Sequence, residues 1–95
     1  MSFGSVLRQR RTELRIALTD MAERLGISVA YWSRIERDLE SPPRDDLIER
    51  AAAILGVQMD DLFVEARRLP PDMRDDMAKV VRAYRRLRAI DGRGR

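Results

Sequence analysis

Gly26, Gly56 and the proline pairs Pro42-Pro43 and Pro70-Pro71 divide the chain into short segments, and within the segments apolar residues recur three and four apart. That spacing lines one face of an α-helix, and no alternating run is long enough to argue for a strand. The expected class is therefore all-α. Residues 1–66 read as one domain of five helices, and residues 71–90 read as an additional C-terminal helix. Sparse aromatic residues (5%) favour helices in the same way.

The first helix is expected over about 2–15, marked by Phe3, Leu7, Leu14 and Ile16, with Arg8, Arg10 and Arg15 on a face that is wet or meets something acidic. A second over 19–25 places Met21, Ala22 and Leu25 inward and ends at Gly26, which suits a left-handed helix stop. Ile27 plugs the turn, and Ser28 can cap a third helix over 28–37 with Trp32 and Ile35 inward. Trp32 reads as core rather than as a stacking platform for bases. Past the break at Pro42-Pro43, Leu47, Ile48, Ala51, Ala52 and Leu55 form the inner face of a fourth helix, and 59–66 a fifth with Leu62 and Phe63. Residues 92–95 read as a frayed end.

Composition excludes several function classes. Cysteine and histidine are both absent, which removes thiol nucleophiles, disulfides, the usual zinc and haem ligands and the commonest neutral-pH acid–base group. The adjacent carboxylates Asp45-Asp46, Asp60-Asp61 and Asp75-Asp76 point about 100° apart if helical, so they read as helix-start and surface charges. No enzyme activity, metal site or cofactor is expected. Neither a membrane span nor a signal segment is legible, so a cytoplasmic, nucleoid-associated protein is expected. The net charge of +3 conceals three zones: +3 over 1–37, −6 over 38–66 and +6 over 67–95. Eighteen of the 19 cations are arginine, a side chain suited to phosphate and guanine and also a common result of genomic base composition.

Two short helices joined by a tight glycine turn, the second polar on its outer face, form a helix-turn-helix arrangement. The stretch Met21-Ala22-Glu23-Arg24-Leu25-Gly26-Ile27-Ser28, followed by Tyr31-Trp32-Ser33-Arg34-Ile35-Glu36-Arg37, resembles the lambda-repressor-like, Cro and Xre type DNA-binding regulators. Segments upstream (4–11) and downstream (43–63) extend the resemblance over about residues 3–64.

The resemblance implies a recognition helix over 28–37 entering the major groove of double-stranded DNA. Once Trp32 and Ile35 are buried, the remaining face carries Val29, Ala30, Ser33 and Arg34. Arg34 suits bidentate bonding to guanine, Val29 and Ala30 suit thymine methyls, and Ser33 suits either base type. Tyr31, Arg37 and Arg44, with the backbone at Leu18 and Thr19, are the expected phosphate-side contacts, and Ser28 at the start of the helix is a further expected DNA-binding residue. Many relatives carry glutamine where this chain has Leu18 and a capping side chain where it has Ala17, which leaves Thr19 or the backbone alone to serve. The resemblance also implies a structural ion pair between Arg11 and Glu36.

Such regulators usually pair two domains across a palindrome, and residues 71–90 are the expected joint. Met73, Met77, Val80, Tyr84 and Leu87 are spaced as a heptad seam and are the expected dimerisation residues. Packing on the same domain, packing on the partner's acidic zone, or extending the DNA footprint stay open for this helix. The expected function is a homodimeric repressor acting on a palindromic operator, with a regulatory protein partner possible. The alternative is a protein-interaction module, an antitoxin or adaptor reusing the fold.

Overall fold

Ser2 opens the chain's first helix, because its hydroxyl accepts from the Ser5 amide (3.1 Å) while the Ser5 hydroxyl accepts from the Ser2 amide (3.0 Å). The computed structural model describes residues 1–93 and contains α1 (Phe3–Glu13), α2 (Leu18–Leu25), α3 (Val29–Glu36), α4 (Asp45–Leu55), α5 (Met59–Glu65), α6 (Pro71–Arg74) and α7 (Met77–Arg93). No strand occurs among the described residues. Gly26 and Gly56 end α2 and α4 in the left-handed region, at φ 70° and 63°.

Phe3 and Leu7 of α1, Met21, Ala22 and Leu25 of α2, Trp32 and Ile35 of α3, the inner face of α4, and Leu62 and Phe63 of α5 form a single buried cluster. Ile16 and Ile27 pack on its edge. Gly4 lets α1 approach α3: a Cβ there would lie 2.4 Å from the Ile35 carbonyl oxygen and 2.6 Å from that of Glu36. The C-terminal end of α3 is thereby held against the start of α1.

Two expectations need correction. Leu14 is exposed and serves as the C-cap of α1, since the helix stops at Glu13 and Arg15 takes a left-handed φ of 57°. Arg10 does meet an acid, its Nη1 donating to Glu13 Oε2 at 3.3 Å, and its Nε also donates to the Leu55 carbonyl (2.7 Å) at the end of α4, one of the acceptors a helix terminus leaves open. Residues 71–90 do not form one helix: Asp75 and Asp76 separate α6 from α7. Met73 therefore stands on α6, off the seam of the longer helix. α7 itself continues to Arg93, and residues 94–95 of the expected frayed end lie outside the described residues.

α6 is pinned to the start of α4. Asp45 accepts from Arg74 Nη1 at 2.8 Å and from Arg68 Nη1 at 3.4 Å, while Arg68 also donates to the carbonyls of Pro42 and Pro43. The Arg74 hydrogen bond, aided by the charge of Arg68, holds the Asp45 carboxyl below its ordinary range. From Met77 to Ile90 only Val80 is half-buried; the others are exposed. α7 thus projects from the domain, and the molecule measures 50 × 28 × 23 Å.

Candidate nucleic-acid interface

Ser28 builds the start of α3: its side chain accepts from the Tyr31 amide at 3.1 Å, leaving the helix to present its remaining surface outward. Trp32, Ile35 and Glu36 are buried, so one face of α3 is fixed inward. Val29 and Ala30 are exposed, and Ser33 and Arg34 are half-buried on the same outer strip. Tyr31 lies along the edge of the core.

Arg11 and Glu36 meet in a two-pronged ion pair, Nε to Oε2 at 2.6 Å and Nη2 to Oε1 at 2.9 Å. The third arm of the guanidinium, Nη1, donates to the Ile16 carbonyl at 2.8 Å. One arginine thereby joins α1, the entry to α2 and the last turn of α3. Because the Glu36 side chain is only 3% exposed, this pair sets the angle of α3 rather than meeting a ligand.

The N-terminus of α2 lies beside this joint. Ala17 is its N-cap and offers no side-chain hydrogen bond, and Thr19 does not replace it. First-turn N–H groups there point outward, as they do wherever a helix starts without a cap. Leu18, Ser33 and Arg37 line a notch of about 130 Å³ together with Arg8, Arg11 and Glu36. The structure thus brings Leu18 of α2 to the same surface as Ser33 and Arg37, with Thr19 exposed next to it in the chain. Arg44 stands apart on the segment before α4, highly exposed and 3.5 Å from Asp46.

The sequence places Arg8 on the wet or acid-facing side of the first helix without assigning it to this surface, and it does not single out Glu40. Arg8 is exposed and lines the notch; its spacing of three and seven from Arg11 and Arg15 was the available signal. Glu40 bonds the Arg34 side chain, Nε to Oε1 at 2.9 Å, and nothing in the helix periodicity places it there. Of the expected seam, Val80 is half-buried and Met77, Tyr84 and Leu87 are exposed on α7, where Val81 and Ile90 add further exposed apolar groups.

A pair of short helices locked by a left-handed glycine, the second showing an open face beside the uncapped start of the first, defines a helix-turn-helix module. The chain belongs to the helix-turn-helix domain family, whose model matches residues 2–66. It is similar to the HTH-type transcriptional regulator SinR of Bacillus subtilis, 34% identical over 62 residues, which are 65% of this chain and 56% of that protein. An uncharacterised HTH-type transcriptional regulator of Mycobacterium tuberculosis is 38% identical over 68 residues, 72% of this chain and 48% of the relative. The chain spans about half the length of these curated relatives. Among solved structures, SinR in complex with DNA superposes with a TM-score of 0.59 at 33% identity, covering 64% of this chain and 97% of that one. A SinR/SinI complex shares the fold over 94% of this chain, with a TM-score of 0.60 at 24% identity.

Proposed function

We propose that this chain is a sequence-specific DNA-binding transcriptional regulator, a homodimer that represses by laying α3 of each copy in the major groove of a palindromic operator. The observation that carries this reading is the open strip of α3 standing next to the uncapped start of α2, on a domain similar to one solved with DNA. Arg34 reads guanine, Ser33 contacts either base type, and Val29 and Ala30 meet thymine methyls. The backbone N–H groups of Leu18 and Thr19 take one phosphate. Arg8 and Arg37 at the notch, with Ser28, Tyr31 and Arg44 farther out, hold the helix in register without reading sequence.

α7 is the joint between copies. Met77, Val80, Tyr84 and Leu87 recur at three and four residues with Val81 beside them, and a largely exposed stripe of that kind is stabilised by packing on another helix. A regulatory protein is the alternative occupant of the same stripe.

A second reading, a protein-interaction module reusing the fold, draws on the small apolar side chains Val29 and Ala30 at the centre of the strip. Salt separates the two. Binding through several phosphates weakens steeply and log-linearly with salt, whereas a packed protein interface responds mildly. The deciding experiment selects sites from a random duplex pool at near-physiological salt with wild type and Arg34→Ala side by side. An enriched inverted repeat whose preference at one position is relaxed by the substitution supports the regulator. Failure to enrich any sequence rejects it, and identical sequences from both proteins reject the role of Arg34.

A further inference from the structure

The Arg34 side chain is not free. Its Nε donates to Glu40 Oε1 at 2.9 Å, and both side chains are partly exposed, at 43% and 36%. Glu40 owes its position to the chain reversal that ends α3. Asp38 adopts a left-handed φ of 59°, and the Leu39 amide then donates back to the Arg34 carbonyl at 2.9 Å. Asp38 is itself anchored, because its carboxylate accepts from the Gly4 amide at 2.9 Å and from the Ser2 hydroxyl. The backbone that carries Glu40 is therefore fixed to the start of α1. Arg34 and Glu40 are held by one turn of structure rather than meeting by chance at the surface.

A carboxylate on this surface opposes DNA, since it faces phosphates and cancels the charge of the arginine beside it. As a stability device it offers little, because exposed ion pairs contribute close to nothing. Its geometry is more informative. With Nε occupied, the guanidinium keeps Nη1 and Nη2 for an outward partner, and that end-on pair matches the O6 and N7 acceptors of guanine. Occupied in this way, the side chain is also less available to swing onto a neighbouring phosphate.

We propose that Glu40 is a specificity-determining positioning residue: it orients Arg34 toward guanine and lowers affinity for every other sequence. This rests on the reading of α3 as a base-reading helix. Glu40 lowers general affinity through its charge and raises discrimination through its hydrogen bond. Removing charge and acceptor together should therefore move affinity and selectivity in opposite directions, which a purely structural contact would not do.

The test uses the full chain and the site that wild type selects from random duplex DNA. Binding is measured to that duplex and to duplexes changed only at the base pair whose preference Arg34→Ala relaxes. Wild type should prefer guanine there by roughly 5- to 150-fold, the span of a good bidentate contact. Glu40→Ala should bind the changed duplexes more tightly while its preference falls about threefold or more, and its log–log salt slope should steepen by up to about 1 as Arg34 becomes free to neutralise a phosphate. In an Arg34→Ala background, Glu40→Ala should still raise affinity and should no longer alter base preference. Glu40→Gln loses the charge but keeps a carbonyl acceptor for Arg34 Nε, so it should raise affinity with a smaller loss of preference, and thermal melts check that each protein is folded. Unchanged preference in both Glu40 variants, while Arg34→Ala has lost it, overturns the positioning role and leaves the base-reading role of Arg34 intact. If no base pair is relaxed by Arg34→Ala, the reading of Arg34 fails and the role of Glu40 falls with it.

Discussion

Arg11 and Glu36 show at the scale of single residues how the orientation of α3 is set by chemistry that a ligand never touches. Both charges are withdrawn from water, with side chains 12% and 3% exposed, and each satisfies the other at two points. Glu36→Ala is expected to cost about 3–5 kcal/mol, because it strands the Arg11 guanidinium against the protein interior. Urea denaturation measures this as a lowered midpoint at unchanged slope; a shift under about 1 kcal/mol contradicts the buried-pair account. Gly4→Ala should cost about 1–3 kcal/mol through overpacking, since the new carbon meets two backbone carbonyls of α3 that cannot swing aside. Gly26→Ala meets open space and should cost only about 1–2 kcal/mol, from the left-handed φ of 70°. If Gly4→Ala is the milder of the two in the same denaturation assay, the close approach of α1 to α3 is not what demands glycine there. The outer strip of α3 was legible from helix periodicity once Trp32 and Ile35 were turned inward. Glu40 was not, because its contact depends on Asp38 adopting a left-handed conformation, and only glycine signals that conformation reliably in a sequence.

Helix ends follow the same rule. Gly26 and Gly56 marked the stops of α2 and α4, whereas Arg15 and Arg67 take φ near 60° with nothing in their identity to announce it, and Asp38 does so with only the weak left-handed preference of an aspartate. The break between α6 and α7 was hidden for another reason: Met73 and Met77 keep helical spacing across Asp75-Asp76, so periodicity reads straight through. Tertiary contacts decide it. Arg74 and Arg68 converge on Asp45 and tie α6 to the start of α4, which no local pattern encodes. The Asp45 carboxyl is held below 3.8 mainly by the Arg74 hydrogen bond, so its contribution is fully present above that ordinary value and is lost as pH falls through the lower folded value. Hydrogen exchange over 68–76 should accordingly rise on acidification below about pH 4 before the domain core opens. Asp45→Asn should produce the raised exchange at neutral pH and abolish its acid dependence. Exchange that is identical in wild type and variant at neutral pH would remove the clasp from the account.

A compact chain of this length has a radius of gyration of roughly 12 Å, and the 16.1 Å observed reflects α7, about 25 Å of helix standing off the domain. The acidic middle zone is not left whole for a partner copy, since Asp45 is already paired with Arg68 and Arg74 within the chain. Association through α7 must then rest on its apolar stripe. Lys79, Arg82, Arg85, Arg86 and Arg88 flank that stripe, so pairing two copies brings like charges together. The two associations of the molecule should therefore respond to salt with opposite sign. Raising salt screens the arginines and should tighten the dimer, while it weakens DNA binding by making counterion release less favourable. Sedimentation equilibrium across a salt series reads the first and duplex titration the second. Replacing Tyr84 and Leu87 together by glutamate should give a folded monomer, because the core lies wholly within Phe3 to Phe63. With one half-site engaged at a time, its affinity for the palindrome should fall about a hundredfold or more, and its salt slope should roughly halve. A variant that still sediments as a dimer shows that the joint lies elsewhere; a wild type that is monomeric at every salt concentration removes the homodimer. Should both proteins be monomeric yet differ in operator affinity, α7 instead lies along the DNA, and its arginines belong to the footprint.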